Sequence, residues 1–320
     1  MSAFRPAWWL PGPHAQTLWP VLFHRPVRPA LAPETLELPD GDFVDLLWTA
    51  PGSGPVVAIL HGLEGGIHSH YAPGMLAAIH AAGWQAVFMY FRGCSGRHNR
   101  LARSYHSGDT GDIGFLLDTL RARFPGARLA AVGFSLGGNA LLKYLGEGAG
   151  RTILSSAVAV SVPFLLAAGA DRLNRGFSRV YQRHLLRRLR RKIRDKFGAN
   201  RKADAPIALD LVPSLDSFWR FDDAVTAPLH GFSGVDDYYR RSSCRPYLRG
   251  IEIPTLIIHA LDDPFLSPEA VPGPAELAKN VTLELSPRGG HVGFIAGGAP
   301  CSAKYWLESR VTDYLRNHLQ

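Results

Sequence analysis

Cysteine is scarce in this sequence: its 320 residues include only Cys94, Cys244 and Cys301. These cysteines lie far apart and form no C-x-x-C pair, so we expect neither a disulfide framework nor a zinc site. Few cysteines also favour a reducing compartment, and we predict a cytoplasmic protein. The N-terminal residues contain no long apolar run before the Pro-Gly-Pro at residues 11–13, so we expect no cleaved secretory signal.

No segment has the uninterrupted apolar composition of a membrane span, although one segment, residues 152–170, resembles such a span. It runs for 19 residues without a charge, and a basic segment follows it. Three serines, a threonine and Pro163 interrupt it, and its AVAVSV portion has the β-branched density of a buried strand. We therefore predict a strand, a turn and the start of a helix rather than a membrane span.

Strand-like and helix-like patterns alternate along the chain from residue 35 onward. The segment TLELPDGDFVDLLWT predicts two antiparallel strands around a turn. Further strands are predicted at PVVAILHGL, WQAVFMYF, LAAVGF, AVAVSV, PTLIIHA and NVTLELS. Helices are predicted at YAPGMLAAIHAAG, DIGFLLDTLRARF, GGNALLKYL and KYWLESRVTDYLRNHL, and PEAVPGPAELA is also compatible with one. This alternation predicts an α/β fold, with a mostly parallel central sheet and helices on both faces.

The alternation is interrupted between about residues 163 and 248. An insertion between two blocks of one α/β sheet is what a cap over an active site would look like in sequence. We therefore predict a single domain over residues 1–320, with a helical cap insertion at residues 163–248.

The segment GFSLGG, residues 133–138, marks a direct change from a strand pattern to a helical pattern. Ser135 lies at this change, with Gly133 two residues before it and Gly137 two residues after it. Glycines at these positions allow neighbouring backbone to come close around a tight turn. The pattern resembles the nucleophile elbow G-x-S-x-G of α/β-hydrolases. The alternative is an ordinary turn in which Ser135 caps the helix.

A serine hydroxyl becomes an effective nucleophile when an imidazole accepts its proton and a carboxylate orients that imidazole. In α/β-hydrolases the chain order is Ser, then Asp or Glu, then His. Asp262 and Asp263 follow the predicted strand PTLIIHA, and His291 lies in a glycine-lined loop after the next strand. We predict a triad of Ser135, Asp263 and His291, because Asp263 lies further beyond the strand end; Asp262 is the alternative acid.

Three other histidines downstream of Ser135 fit surface or packing roles. His184 lies in a basic stretch, His318 lies near the C-terminus, and His259 lies within a predicted strand.

An oxyanion hole requires two backbone N–H groups directed at the developing negative charge. The first is predicted at Leu136, directly after the nucleophile, where a helix N-terminus has free N–H groups. The second is predicted at Leu63 in the loop ILHGLEGG, which follows an earlier strand. The alternative for that loop is a plain glycine-rich βα connection.

The chain resembles the YheT-like α/β-hydrolases, a group of predicted carboxylesterases related to mammalian lipid-acting α/β-hydrolase-domain proteins. The resemblance covers nearly the full length and is carried by HAQT, HGLEGG, FRGCSGRHN, GFSLGGN, DDYYRRSS, ALDDPF and GGHVGF. It implies an α/β-hydrolase fold and the same triad of Ser135, Asp263 and His291.

A serine nucleophile indicates acyl transfer. We expect hydrolysis of short- to medium-chain or lipid-like carboxylic esters through an acyl-serine, with no cofactor and no metal. The alternatives are a thioesterase, amidase or phospholipase using the same triad, and a non-catalytic relative that binds partners through its cap. Cys94 lies in a loop that we expect near the site, without a catalytic role.

The formal net charge of +8 is concentrated in one segment. Residues 171–202 contain thirteen Lys/Arg and two Asp, or +11, which leaves 8 − 11 = −3 for the rest. Within residues 171–197, apolar residues recur three to five positions apart, with most of the arginines between them: Phe177, Val180, Leu185, Leu189, Ile193 and Phe197. The leading interpretation is a cap helix with its apolar stripe on the body and its arginines in water. The alternatives are peripheral contact with anionic membranes and, least favoured, nucleic-acid binding, for which no aromatic interleaving or reader motif is present.

Overall fold

The computed structural model describes residues 2–26, 29–52, 54–148, 153–198 and 205–319. Its centre is an eight-stranded sheet with the strand order β1-β2-β4-β3-β5-β6-β7-β8. The strands are β1 (Ala32–Glu37), β2 (Phe43–Trp48), β3 (Val56–Leu60), β4 (Gln85–Met89), β5 (Leu129–Phe134), β6 (Ser156–Val160), β7 (Thr255–Ala260) and β8 (Val281–Ser286). A separate pair consists of β9 (Ile295–Ala296) and β10 (Lys304–Tyr305).

The sheet is parallel from β4 to β8, and β2 pairs antiparallel with both β1 and β4. Strand β5, which leads to Ser135, lies between β3 and β6, and all five residues of β3 and of β6 are buried. The carboxyl ends of these strands therefore meet at one edge of the sheet, where sites form in open α/β folds. The predicted mostly parallel α/β fold is confirmed.

Ten α-helices occur within the described residues. They are α1 (Pro13–Phe23), α2 (Ala72–Ala81), α3 (Gly111–Arg123), α4 (Leu136–Gly146), α5 (Leu166–Leu173), α6 (Ser178–Lys196), α7 (Phe218–Phe221), α8 (Ala227–Leu229), α9 (Val235–Ser242) and α10 (Trp306–Leu319). Two apolar cores cover the two faces of the sheet: one includes α3 and α4, and the other includes α2 and α10. Apolar residues at helical spacing, such as Ile113, Leu116 and Leu120 of α3, supply the buried side of each helix.

Helices α5 to α9 all lie between β6 and β7, within the predicted cap segment, residues 163–248. They share an apolar cluster of their own, which includes Leu186, Phe197 and Val212. The uncharged run at residues 152–170 contains β6 and the start of α5, as the interrupted hydropathy predicts, although residue 152 is outside the described residues. Among the described helices, none combines the length and the apolar composition that crossing a membrane requires.

Two expectations differ from the structure. The segment PEAVPGPAELA forms two short 3₁₀ turns, Pro268–Ala270 and Pro274–Glu276, rather than an α-helix. Its prolines lack the N–H that a continuous helix needs. In the basic segment, Phe177 and Val180 are 50% and 51% exposed, so they do not belong to the buried stripe of α6.

Candidate active site

Ser135 lies at the turn between β5 and α4 in a strained conformation, with φ +52° and ψ −116°. Residues other than glycine rarely adopt a positive φ. Such backbone strain persists only where the surrounding structure enforces it. The turn is tight: a Cβ on Gly137 would lie 2.5 Å from the carbonyl oxygen of Leu60, and one on Gly133 would lie 2.5 Å from that of Gly137. Only glycine fits at these two positions, which explains the G-x-S-x-G spacing.

The three side chains of the predicted triad come together at this turn. His291 Nε2 lies 3.0 Å from Ser135 Oγ, and His291 Nδ1 lies 2.8 Å from Asp263 Oδ2. Because the carboxylate accepts the Nδ1 hydrogen, Nε2 of a neutral ring carries a lone pair toward the serine hydroxyl. The arrangement can transfer a proton from Ser135 to His291.

The two adjacent aspartates have different partners. Asp263 Oδ1 accepts a hydrogen bond from the backbone N–H of Phe265, which leaves Oδ2 directed at His291. Asp262 Oδ1 instead accepts the backbone N–H of Gly290, and burial raises the pKa of Asp262. Asp262 therefore contacts the loop that carries His291, whereas Asp263 contacts the imidazole itself.

Helix α1, for which the sequence analysis made no structural prediction, holds the His291 loop in place. Thr17 Oγ1 accepts the backbone N–H of His291 at 2.9 Å and donates to the carbonyl of Pro13. Gln16 forms two hydrogen bonds to the backbone of Ile295, one as donor and one as acceptor. The HAQT segment, His14 to Thr17, was the only signal of this role in the sequence. Its Gln and Thr are positioning residues.

Phe265 covers the other side of the imidazole, stacked on His291 at a centroid distance of 4.0 Å. His70 Nε2 donates to the carbonyl of Val292 at 2.9 Å, and burial lowers the pKa of His70 to about 4, so its ring is neutral. Ser161 Oγ accepts the backbone N–H of Val292. These contacts fix the loop on several sides.

The predicted oxyanion-hole loop lies against the nucleophile: a Cβ on Gly62 would lie 3.2 Å from the Cβ of Ser135. The N–H groups on both sides of Leu63 have partners, since Gly62 donates to the Tyr71 hydroxyl and Glu64 donates to the Tyr105 hydroxyl. Within the described residues, the N–H groups of Leu63 and Leu136 form no hydrogen bond. Both are thus available to an incoming acceptor.

Helix α6 contacts the loop that carries Leu63 through charged side chains that are largely buried. Lys192 Nζ donates to Glu64 Oε1 and lies 3.1 Å from the sulfur of Cys94. Glu64 directly follows Leu63 and has a positive φ of 52°. Lys196, 3% exposed, donates to the Asn99 side chain and to the carbonyl of Arg103. The two lysines of α6 therefore attach this helix to the body of the protein, a role that the sequence patterning of the segment did not indicate.

A cavity of about 660 Å³ extends from Ser135 and His291. This volume is within the range typical of small-molecule sites. Apolar side chains of the helices between β6 and β7 supply much of its wall, and Cys94 also lines it. Burial raises the pKa of the Cys94 thiol, which leaves it as a neutral, weakly reactive group. No cluster of three or more His, Cys, Asp or Glu side chains suited to a metal occurs in the described part of the chain.

The three histidines that the sequence analysis set aside form no hydrogen bond to Ser135 within the described residues. His259 is buried within β7 and packs near Phe164, and burial lowers its pKa to about 4. His318 contacts Tyr314 on α10. His184 is exposed on α6 and lines the outer part of the cavity.

Comparison with known proteins identifies the family. A family model described as the alpha/beta hydrolase fold matches residues 55–297. Over 311 residues, 96% of this chain and 91% of the relative, the chain is 45% identical to the Escherichia coli (strain K12) protein named "Putative esterase YheT". The chain belongs to the YheT-like α/β-hydrolases.

This YheT-like chain is also similar to a mammalian protein in sequence and to a solved structure in fold. The chain is 30% identical over 288 residues to mouse (Mus musculus) "Phospholipase ABHD3", covering 85% of this chain and 68% of that protein. The structure of the Pyrococcus furiosus esterase Pf2001 superposes with a TM-score of 0.60 at 17% identity, covering 91% of each chain. At that identity the superposition establishes the fold alone. The chain is therefore a hydrolase with esterase- and lipase-type relatives.

Proposed function

We propose that this protein is a serine hydrolase that cleaves carboxylic esters, including lipid-like esters, through an acyl-serine intermediate. One observation carries the proposal, the position of His291 between the other two side chains. Its Nε2 lies 3.0 Å from Ser135 Oγ, and its Nδ1 lies 2.8 Å from Asp263 Oδ2. In such an arrangement the imidazole accepts the serine proton, and the buried carboxylate orients the imidazole and stabilises its positive charge.

The proposed reaction has two steps. Ser135 Oγ attacks the ester carbonyl while His291 accepts its proton, and the N–H groups of Leu136 and Leu63 stabilise the tetrahedral oxyanion. The intermediate collapses to acyl-Ser135, and His291 gives the proton to the departing alcohol. Water, deprotonated by His291, then attacks the acyl-enzyme, which releases the carboxylic acid and restores Ser135.

Lipid-like substrates are supported by the cavity and by one relative. The cavity of about 660 Å³ is lined by apolar side chains from α5 and from the helices around residues 218–229. A mammalian relative bears the name phospholipase. We assign residues 163–248 as a cap over the cavity on the same grounds.

The exposed arginines of α6 support peripheral contact of this protein with anionic membranes from the cytoplasm. Arg183, Arg187 and Arg194 are exposed, and Phe177 and Val180 add half-exposed apolar side chains at the start of the helix. Basic side chains beside exposed apolar ones suit an anionic lipid surface.

The decisive test compares the wild-type protein with Ser135→Ala on p-nitrophenyl esters of graded acyl length. We expect loss of nearly all activity in the variant, and covalent labelling of the wild type alone by a fluorophosphonate probe. Ser302→Ala, at an exposed serine that does not line the cavity, is the matched control. Equal turnover by wild type and Ser135→Ala would disprove the mechanism. Parallel assays on acyl thioesters, amides and phospholipids separate the three alternative acyl hydrolases.

A further inference from the structure

A cluster of hydrogen-bonded polar side chains lines part of the otherwise largely apolar cavity. Asp222, Thr226 and Tyr239 belong to it, and all three face the same cavity as Ser135. Elsewhere the wall contains apolar side chains such as Leu166, Leu173, Phe221 and Leu229. The proposed ester hydrolysis assigns no role to this polar cluster.

Asp222 is the acidic member of the cluster. Its Oδ1 accepts the Thr226 hydroxyl at 2.6 Å, and its Oδ2 accepts the Tyr239 hydroxyl at 2.8 Å. No Lys, Arg or His within the described residues forms an ion pair with it. A carboxylate has about four acceptor positions, so two remain after these bonds. A buried carboxylate without a cation is unfavourable for stability, which suggests a function for it.

The backbone around Asp222 is also unusual. The helical run from Phe218 to Leu229 changes from α to π over Asp222–Thr226 and then returns to α. π-Turns inside helices are rare, and they occur frequently at functional sites. Here the wider turn contains both Asp222 and Thr226, the two residues of this run that bring polar side chains to the cavity wall.

Two neighbouring histidine rings, those of His106 and His230, lie against each other, and His230 contacts the backbone of Thr226. The ring of His230 donates from Nδ1 to the Thr226 carbonyl at 2.8 Å, and the ring of His106 lies 4.8 Å from it, centroid to centroid. Burial, with the neighbouring His230 and Arg103, lowers the pKa of His106 to about 2, so its ring is neutral. Its Nδ1 accepts the N–H of Gly108, which leaves the hydrogen on Nε2. His106 also lines the cavity.

We propose that Asp222 forms a subsite for a hydroxyl group of the ester substrate and accepts its hydrogen at a free position of the carboxylate. A hydroxyl can donate to the acceptor positions that Thr226 and Tyr239 leave free on Asp222, whereas a methyl group would leave those positions unpaired. The inference rests on the proposed ester hydrolysis and specifies its substrate class: esters with a free hydroxyl on the alcohol part or on the acyl part.

The test uses two pairs of esters at pH 8, each pair differing by OH against CH₃. The first pair, 3-hydroxypropyl octanoate and butyl octanoate, places the hydroxyl on the alcohol part. The second pair, p-nitrophenyl 8-hydroxyoctanoate and p-nitrophenyl nonanoate, places it on the acyl part. The measured quantity is the ratio of kcat/KM within each pair, for the wild type, Asp222→Leu, Asp222→Asn and the control Asp223→Asn. Asp223 is the exposed neighbour and does not line the cavity.

We expect the wild type to prefer the hydroxyl member of one pair by about 10- to 100-fold, the effect of a hydrogen bond to a charged group. Asp222→Leu should abolish this preference while the methyl member is still hydrolysed, and Asp223→Asn should retain it. Asp222→Asn, which conserves the shape of the side chain, should reduce the preference and carries the test if the leucine variant does not fold. Hydrolysis without preference in either pair, or an unchanged preference in both Asp222 variants, overturns the subsite. Failure of the wild type to hydrolyse all four esters refutes instead the proposed function.

Discussion

Thr17 offers a direct test of how helix α1 supports the site. Its hydroxyl accepts the buried backbone N–H of His291 at 2.9 Å, while the side chain touches neither Ser135 nor the imidazole through any hydrogen bond in the described structure. Thr17→Val keeps the shape of the side chain and removes the acceptor. The N–H of His291 would then lack a partner, which costs about 1–3 kcal/mol.

The loop can relieve that penalty by moving, and movement of the loop displaces the imidazole from Ser135. A penalty of about 1–3 kcal/mol corresponds to roughly a 5- to 150-fold decrease in the ratio of the aligned to the displaced loop. We therefore expect kcat for p-nitrophenyl butyrate to fall by about that factor. KM should change by less than about threefold, because Thr17 does not line the cavity.

Thr17→Ser is the matched control, since it keeps the hydroxyl and should retain most of the wild-type kcat. Both variants are assayed well below their thermal midpoints, so that loss of folded protein is not mistaken for loss of alignment. If Thr17→Val has wild-type kcat, or if Thr17→Ser is as impaired as Thr17→Val, the hydrogen bond does not position His291.

Two further predictions concern stability and membranes. Burial raises the pKa of Glu308 to about 7 from 4.5. The contribution of this group to folding stability is therefore fully present below about pH 4.5, and it is lost as the pH rises through 7. Glu308→Gln should therefore be more stable than wild type by about 3 kcal/mol at pH 8 but similar at pH 4.5 in urea unfolding; a pH-independent difference would contradict this. Replacing Arg183, Arg187 and Arg194 by Gln should weaken binding to anionic vesicles about 100-fold at about 1 kcal/mol per arginine. Arg316→Gln on α10 serves as the control, and undiminished binding by the triple variant would exclude this face.

The order of strands and helices could be predicted because it depends on local patterns. Runs such as VVAIL at β3 and alternation of strands with amphipathic helices specify a covered parallel sheet with little reference to the rest of the chain. The turn at Ser135 was predictable for a similar reason, since its two glycines are required by backbone contacts within a few residues or with the adjacent strand. Local patterning was less informative at PEAVPGPAELA, where spacing suggested a helix and proline chemistry excluded it.

Contacts between distant segments were not predictable from the same patterns. Thr17 and His291 are 274 positions apart, and nothing in the composition of α1 indicates which loop it meets. Lys192 and Lys196 similarly resemble the solvated arginines beside them in sequence. Their burial depends on acceptors in the body, Glu64 for Lys192 and Asn99 for Lys196. A charged side chain on a helix therefore could not be assigned to water or to an interface before its partners were known.

The adjacent aspartates, Asp262 and Asp263, depend partly on local sequence patterns and partly on contacts between distant segments. Strand β7 predicts that both Asp262 and Asp263 lie at the catalytic edge, because both follow its carboxyl end. It does not predict which of them reaches the imidazole, since that depends on the direction of each side chain in the turn. In the structure one carboxylate accepts the Nδ1 hydrogen of His291 and the other accepts the N–H of Gly290. Both therefore converge on one loop, and the pair acts as a unit in which one member orients the ring and the other orients the backbone that carries it.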